Sequence, residues 1–257
     1  MYIFHSNALI SFRDWPPAGG IFFLELAMSK VAFYIDGFNF YFGIKRAFEG
    51  SEGAKWGCAY WIDMVKFCES FLSEGQELVK VVYFTASPLN EEKSVLQGAF
   101  LNANKALNGD RFEVVRGEFL VNEFNCPQCG RPIRKPEEKK TDVNISVRMI
   151  GDCVQKKVDS LALISADTDL VPPLEFISSN FQDVKIKIYF PPSNDSRGIR
   201  DFVYMKNNVK LKELAKNIDR FHRSKMPDTV DTFTIPDKWR RRHAAAEAYF
   251  DKPKIKI

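Results

Sequence analysis

Cysteine and histidine are scarce in this 257-residue chain, which has five cysteines and three histidines. An odd cysteine count without a secretory signal argues against a disulfide framework and predicts a reducing compartment, the cytoplasm. The apolar segment at residues 20–27 contains Glu25 and lacks the basic flank and cleavage site of a signal peptide. His5, His222 and His243 all fall outside the predicted core, so a histidine general base is not expected.

Long apolar runs and nucleotide-binding glycine motifs are missing as well. No stretch approaches the roughly 20 apolar residues that a membrane-spanning helix needs, so no membrane partner is expected. The chain has no GxxxxGK[ST] loop, no strand-linked GxGxxG, no GxSxG elbow and no HExxH. These absences argue against P-loop NTPases, dinucleotide-binding enzymes, α/β-hydrolases and zincins.

The cysteine pair Cys126 and Cys129 forms half of a zinc motif. Tetrahedral structural zinc takes four ligands, and the other cysteines offer no second CxxC. A Zn²⁺ site at residues 126–130 therefore has two alternatives. One is a metal-free turn, and the other is a site shared between the subunits of a homo-oligomer.

Positive charge is concentrated near the C-terminal end of the sequence. Residues 204–257 contain 14 Lys and Arg against 7 Asp and Glu, whereas the whole chain has a net charge of +4. A basic segment beside an acidic metal site suits an enzyme acting on a polyanion, and a solvated tail is the alternative. We predict an N-terminal extension at 1–28, a main domain at 29–205 with a CxxC loop near 126–130, and a basic tail at 206–257.

Strand-like and helix-like apolar patterns alternate from Val31 onward. Strands are predicted at residues 31–36, 78–85, 112–116, 159–165 and 184–189, with a hairpin arm at 119–124. Helices are predicted at residues 60–72 and 91–107, from 141 or 142, from about 172, and at 240–250. This alternation predicts an α/β fold with a parallel sheet and right-handed crossovers.

Acidic residues stand where these strands end or where a helix begins. Asp36 closes the first strand, Asp142 opens a helix, and Asp167 and Asp169 follow a buried strand. Ligands bind outside the carboxyl ends of parallel strands, so these acids can converge although they are remote in sequence. Converging carboxylates repel one another unless a cation holds them, and oxygen ligands suit Mg²⁺ or Mn²⁺.

Each acid also has a local structural explanation. An Asp36-Gly37 pair after a strand is common turn chemistry, and Asp142 would serve as a helix cap. Capping accounts for one of Asp167 and Asp169 but does not readily explain both. The hypothesis of a metal site therefore rests on the three positions taken together.

Three motifs in this order resemble the NYN domain family, which includes the LabA-like bacterial proteins and is related to PIN-domain nucleases. The motifs are YIDGFN at 34–39, EKKTDVN at 138–144 and LISADTDL at 163–170. The resemblance spans about residues 30–204. It implies a Rossmann-like three-layer α/β/α sandwich, ribonuclease activity and an Mg²⁺ or Mn²⁺ pocket formed by Asp36, Asp142, Asp167 and Asp169, with Asn39 as their polar companion.

Two positions depart from the family pattern. Arg148 stands six residues after Asp142, where many members carry another acid, and Ala166 replaces the more usual glycine. Arg148 would either weaken metal binding or contact phosphate. The leading hypothesis is a metal-dependent ribonuclease. The alternatives are an RNA-binding or assembly module with a weakly active site, and a phosphatase for small esters, in which the basic tail would have no role.

Polar residues close to the acids in sequence are the expected substrate contacts. They are Asn39, Lys139, Lys140, Ser165, Thr168, Arg197 and Arg200. Hydroxyl, amide and cationic groups at a sheet edge suit phosphate contacts, and for the loop after residue 192 an ordinary polar loop is the alternative. The 23 phenylalanines are interpreted as core packing rather than as a base-stacking surface.

Overall fold

Strands alternate with helices along the chain in the computed structural model, which describes residues 28–125 and 127–251. The described strands are β1 (Ser29–Asp36), β2 (Gln76–Thr85), β3 (Phe112–Arg116), β4 (Glu118–Asn125), β5 (Pro132–Lys139), β6 (Ser160–Ile164), β7 (Lys185–Phe190), β8 (Val209–Glu213), β9 (Thr229–Val230) and β10 (Phe233–Thr234). Most of the strands predicted from apolar runs are therefore present within one or two residues of their expected bounds.

The helices fill the connections between these strands. They are α1 (Gly37–Glu49), α2 (Met64–Glu69), α3 (Glu91–Asn108), α4 (Thr141–Val154), α5 (Val171–Asn180), α6 (Arg197–Tyr204), α7 (Ile218–Arg223) and α8 (Asp237–Phe250), together with a 3₁₀ helix at Gly53–Tyr60. Among the described helices, none combines the length and hydrophobicity required to cross a bilayer.

The central sheet has six strands in the order β3-β2-β1-β6-β7-β8, and every neighbouring pair is parallel. The chain builds outward from β1 to β3 on one side and then returns to place β6, β7 and β8 on the other. The direction of winding therefore reverses between β1 and β6, which is where ligand crevices form in such sheets. This arrangement confirms the predicted Rossmann-like three-layer α/β/α fold.

Two apolar layers cover the faces of the sheet. Phe33 and Ile35 of β1 belong to the layer packed against α1, α2 and α3, whereas Ala32 and Tyr34 belong to the layer packed against α4, α5 and α6. Because both faces are covered, the strand reads as an unbroken apolar run rather than as an alternating one. The interior of the sheet is thus closed to water, whereas the ends of its strands can be reached by a ligand.

Helix α1 starts at the residue immediately after β1, where the sequence favoured a simple turn. A Cβ at Gly37 would lie 2.4 Å from Cε1 of Tyr83 and 2.6 Å from the carbonyl oxygen of Phe84. Glycine therefore permits the close approach of this turn to β2. Asp36 caps the helix, because its Oδ1 accepts a hydrogen bond from the backbone N–H of Asn39 at 2.9 Å.

The hairpin of β4 and β5 forms a separate antiparallel pair between β3 and α4. A Cβ at Gly117 would lie 2.5 Å from Oγ1 of Thr141, so glycine lets the base of the hairpin meet the start of α4. Phe119 of β4 contacts Phe38 of α1 edge-to-face, with ring centroids 5.7 Å apart. The hairpin therefore leans over the beginning of α1.

The segment predicted as a basic tail contributes to the folded domain. Strand β8 is the sixth strand of the sheet, and α8 packs on the 3₁₀ helix Gly53–Tyr60 through buried Trp239 and Ala246. The sheet thus continues past residue 205, the boundary expected from the sequence. Residues 1–27, Cys126 and residues 252–257 lie outside the described residues, so the predicted N-terminal extension and the cysteine-pair zinc site remain predictions.

Arg148 fastens α4 to the edge of the sheet. Its guanidinium donates to both carboxylate oxygens of Glu113 on β3, at 2.6 and 3.0 Å, and to Asp152 one turn along α4 at 2.8 Å. Buried Asp152 also accepts a hydrogen bond from the hydroxyl of Tyr34 at 2.9 Å. Arg148 is therefore bound to two structural acids, and its bidentate contact lowers the pKa of the Glu113 carboxyl.

His243 of α8 is buried without a polar partner. It is 3% exposed, and neither ring nitrogen has a hydrogen-bond partner within the described residues. Burial lowers the pKa of this imidazole to about 4. Because an unfolded histidine titrates near 6.5, the folded state takes up a proton less readily than the unfolded state does.

Removal of Arg148 should destabilise the fold. Arg148→Gln leaves the buried Asp152 carboxylate without its main cation, so we expect a loss of about 1–3 kcal/mol in the free energy of unfolding, measured by urea denaturation. Arg197→Gln is the matched control, because the Arg197 side chain is 95% exposed and its removal should cost less than about 0.5 kcal/mol. Unchanged stability with altered metal affinity would contradict this structural role.

The buried imidazole should make stability depend on pH. The contribution of neutral His243 is complete above about pH 6.5 and is lost as the pH falls towards 4. We therefore expect the urea midpoint of the wild type to fall across this range more steeply than that of His243→Met. Identical slopes for the wild type and His243→Met would show that the imidazole is not buried in its neutral form.

Candidate functional site

Three carboxylates meet at the carboxyl ends of β1 and β6. Oxygen atoms of Asp36, Asp142 and Asp167 all lie within 4.8 Å of one another. Asp36 ends β1, Asp167 follows β6, and Asp142 lies in the first turn of α4. The acids therefore converge at the position where the winding of the sheet reverses.

Asp36 is the most enclosed of the three acids, at 4% exposure. One oxygen accepts the Asn39 backbone N–H, and the other accepts the hydroxyl of Ser165 at 2.9 Å. Burial raises the pKa of the Asp36 carboxyl to about 6, with the neighbouring charges of Asp142 and Asp167 acting in the same direction. The site thus holds a carboxylate that is costly to ionise unless positive charge is brought to it.

Asp142 and Asp167 are partly exposed and complete the cluster. Burial raises the pKa of Asp142, and the charges of Asp167 and Asp169 raise it further. Asp167 caps the short 3₁₀ turn that follows β6, because its Oδ1 accepts the backbone N–H of Asp169 at 3.0 Å. The capping role expected from sequence and the convergence with other acids are therefore both present at Asp167.

Asp169 occupies a different position from the other three acids. Its side chain is exposed, and it is not among the carboxylates that lie within 4.8 Å of one another. Its charge nevertheless acts on Asp142. The structure thus brings together three of the four predicted acids and leaves Asp169 at the outer edge.

A hydrogen-bond network fixes the loops that carry these acids. The Ser165 hydroxyl accepts the backbone N–H of Asp167 at 3.0 Å while donating to Asp36. Oδ1 of Asn39 accepts the backbone N–H of Ala166 at 3.2 Å, and Nδ2 of Asn194 donates to both oxygens of Asn39. Ala166, which stands where glycine is more usual, contacts Asn39 through its backbone N–H, so this contact does not depend on the side chain at position 166.

Asn39 and Ser165, predicted as substrate contacts, are held in this network and position the acids. Asn194 belongs to the polar loop after residue 192 that is predicted to contact phosphate, and in the structure its amide braces Asn39 instead. Its only sequence signal is its place in the polar loop just past β7. The contact between Asn194 and Asn39 forms because α1 and the loop after β7 meet at the same ends of the strands. A local sequence pattern does not predict this meeting.

No basic side chain pairs with the clustered acids in the part of the chain that the structure describes. Arg148, which stands where many family members have an acid, contacts Glu113 and Asp152 instead. Arg200 is held by two acids, Asp195 at 2.7 Å and Glu213 at 2.8 Å. The negative charge of the cluster is thus not balanced by an ion pair.

The remaining predicted substrate residues lie on the surface around this edge. Lys139, Lys140 and Thr168 are exposed, and Lys140 pairs with Glu118 at 2.7 Å. Arg197 is almost fully exposed, and its contact with Asp201 is long, at 3.8 Å. Arg197 is therefore less constrained than Arg200 for contact with a ligand.

The donor set fits a hard divalent cation. Three carboxylates from different elements supply oxygen ligands, and their uncompensated charge is what such an ion neutralises. Burial, together with the neighbouring carboxylate charges, raises the pKa values of Asp36 and Asp142 and so opposes their ionisation. The cluster is accordingly able to hold a divalent metal ion.

One similar protein is 6-hydroxy-3-succinoylpyridine 3-monooxygenase of Pseudomonas putida (strain DSM 28022 / S16). The two sequences are 27% identical over 202 residues, which cover 65% of this chain and 61% of that protein. This chain spans about three fifths of the length of that relative. The monooxygenase activity is a property of that relative.

A solved structure also aligns with this one. It is a protein of unknown function from Vibrio parahaemolyticus RIMD 2210633, with a TM-score of 0.46 and 18% identity. The alignment covers 72% of this chain and 93% of that one.

The NYN domain family profile matches residues 30–203. The matched region runs from β1 into α6 and contains the three converging acids as well as Asp169. It also covers well over half of the sequence. The chain therefore belongs to the NYN domain family.

Proposed function

We propose that this protein is a metal-dependent ribonuclease that hydrolyses phosphodiester bonds of RNA. The observation that carries this proposal is the cluster of Asp36, Asp142 and Asp167, whose oxygens lie within 4.8 Å of one another and pair with no basic side chain among the described residues. Membership of the NYN family supports nuclease-type chemistry on RNA. The basic residues that follow residue 204 would add salt-dependent affinity for a polyanion.

The three clustered carboxylates would hold Mg²⁺ or Mn²⁺. When bound, such an ion activates water and stabilises the negative charge that builds on the phosphate oxygens. The residues of this chain supply the geometry for that chemistry. Ser165 and the Asn39 backbone fix the Asp36 carboxylate, so little rearrangement would be needed when ligands bind.

The outer part of the site would contact the RNA backbone. Arg197 is exposed and only loosely paired, so its guanidinium is suited to a phosphate oxygen. Lys139 and Lys140 lie at the junction of the hairpin with α4 and would add positive charge there. Arg200 already holds Asp195 and Glu213 and would support the loop instead of the substrate.

The contacts of Arg148 favour the enzyme over a module that only binds RNA. That alternative depended on a positive charge taking the place of an acid at the site. The guanidinium instead makes three hydrogen bonds to Glu113 and Asp152. Arg148 therefore joins α4 to β3, and its charge is engaged by these two acids rather than by the cluster.

Metal binding should stabilise the protein against heat. At about 100 times the dissociation constant, a ligand specific for the folded state adds about 2.7 kcal/mol, or roughly 5–10 °C in Tm for a chain of this size. We expect Mn²⁺ to produce this shift in the wild type and to lose most of it in Asp167→Asn, measured by differential scanning fluorimetry. An equal shift in both proteins would place the metal elsewhere.

RNA cleavage should depend on the clustered acids and on a divalent ion. Asp36→Asn and Asp167→Asn should each lower kcat roughly 100-fold or more, because several kcal/mol of charge stabilisation are lost with the metal. Cleavage of a labelled single-stranded RNA, followed on gels with Mg²⁺, Mn²⁺ or EDTA, measures this loss.

Asp183→Asn is the matched control for these substitutions. Asp183 is an exposed acid just before the amino end of β7, whereas the clustered acids lie at the carboxyl ends of the strands. Its loss should therefore leave cleavage unchanged. Activity of the wild type in EDTA, or full activity of the Asp36→Asn/Asp167→Asn double variant, would refute the proposed site. Turnover of small phosphate esters in place of RNA would assign the same acids to a phosphatase.

A further inference from the structure

A pocket of about 440 Å³ opens beside the acidic cluster. Its lining includes Gly37, which directly follows β1, and Thr85, the last residue of β2. Helices α1 and α3 form its walls, and Phe119 of the hairpin and Trp239 of α8 also line it. Because Gly37 directly follows Asp36, the pocket and the acids share one stretch of backbone.

The pocket and helix α4 lie on opposite sides of the sheet. Pocket residues Phe40, Tyr60 and Phe100 belong to the apolar layer over α1 and α3, whereas Ile145 and Met149 of α4 belong to the other layer. Asp142 therefore approaches the end of β1 from one side and the pocket approaches it from the other. A ligand bound at the acids could extend around the end of β1 into the pocket.

Aromatic side chains make up much of the lining. Those that belong to the pocket are Phe38, Phe40, Tyr41, Phe42, Tyr60, Tyr83, Phe100, Phe119 and Trp239. Near the mouth, the Phe38 and Phe42 rings stack with centroids 6.2 Å apart, and Tyr41 packs edge-on to Phe42 at 5.4 Å. The pocket thus offers π-faces in several orientations to a flat ligand.

The rings at the mouth are open to solvent. Tyr41 is 38% exposed and Phe42 is 42% exposed, although each lies only a few residues from the buried Asp36. Exposed aromatic side chains gathered in one concave site are typical of ligand binding rather than of core packing. The interpretation of all phenylalanines as packing therefore does not account for this part of α1.

Polar groups occupy defined positions around the aromatic walls. The side-chain amide of Gln97 donates to Oγ1 of Thr85 at 2.9 Å and to the carbonyl oxygen of Ala86 at 3.2 Å, which fixes the amide at the end of β2. Lys45 and Lys93 also line the pocket. The site combines flat apolar surfaces, an oriented amide and positive charge.

We infer that this pocket binds one nucleobase of the RNA whose phosphate lies at the acidic cluster. The inference rests on the proposed ribonuclease function. Aromatic faces stack on any base, the Gln97 amide oxygen is placed to accept a hydrogen bond from a base edge, and the lysines attract the adjoining phosphates. Base stacking beside the cluster would hold the scissile phosphate in place.

A fluorescent base provides the direct test. Single-stranded RNA carrying one 2-aminopurine is titrated with protein in EDTA, where cleavage is prevented, and stacking is followed as loss of fluorescence. We expect strong quenching by the wild type. Phe42→Ala should reduce the quenching and weaken binding roughly 5-fold to 100-fold, which corresponds to the usual worth of one stacked base.

Matched variants separate stacking from damage to the fold. Phe176→Ala removes an aromatic ring that is 48% exposed on α5, outside the pocket, and should behave as the wild type. Phe42→Leu keeps apolar volume without a π-face and should lose quenching as Phe42→Ala does. Wild-type quenching and affinity in both Phe42 variants would overturn the inference.

Cleavage assays then link the pocket to the reaction. RNA with a single abasic nucleotide next to the cut site should show a lower kcat/KM with the wild type, and Phe42→Ala should show little further loss on that RNA. Additive losses would mean that the missing base and Phe42 do not meet, which also overturns the inference.

The outcomes distinguish this inference from the proposed function. Cleavage by the wild type that is unaffected by Phe42→Ala would leave the ribonuclease intact and refute the nucleobase pocket. Phe42-dependent quenching without any metal-dependent cleavage would refute the ribonuclease and leave base binding. Equally tight binding of free 2-aminopurine riboside and of the oligonucleotide would assign the pocket to a small heteroaromatic ligand and overturn the inference.

Discussion

The placement of β1 between β2 and β6 is the constraint on which the rest of the structure depends. Parallel hydrogen bonding on both sides fixes β1 along its length and brings its carboxyl end level with that of β6. Asp36 and the loop that carries Asp167 are neighbours for this reason alone. Helix α4 begins near these strand ends, so Asp142 in its first turn lies beside the other two acids.

Bringing carboxylates together has an electrostatic cost that the apolar layers must offset. Two full charges near 4.8 Å repel by roughly 3–4 kcal/mol at the effective dielectric of a protein surface. Burial raises the pKa values of Asp36 and Asp142, and the neighbouring carboxylate charges raise them further. The site is therefore supported by hydrogen bonds from Ser165 and Asn39, which hold the acids where repulsion alone would separate them.

The sequence predicted the strands well because strands buried on both faces leave continuous apolar runs. It missed α1, where Gly37 favoured a turn and where Phe38, Phe40 and Phe42 alternate as they would in a strand. Three acids converge as predicted, while Asp169 turns outward because a 3₁₀ turn follows β6. The partners of Arg148 and Asn39 could not be predicted, since Glu113 and Asn194 reach them through the fold.

The lining of the pocket by Trp239 separates the acids and the pocket in the order of synthesis. The three clustered acids and most of the sheet precede residue 170, whereas Trp239 emerges from the ribosome about 70 residues later. A growing chain would therefore contain all three clustered acids before it contains Trp239, the α8 residue that lines the pocket beside them. An emerging chain would carry the charge of this site some time before it has the surface that we infer selects a base.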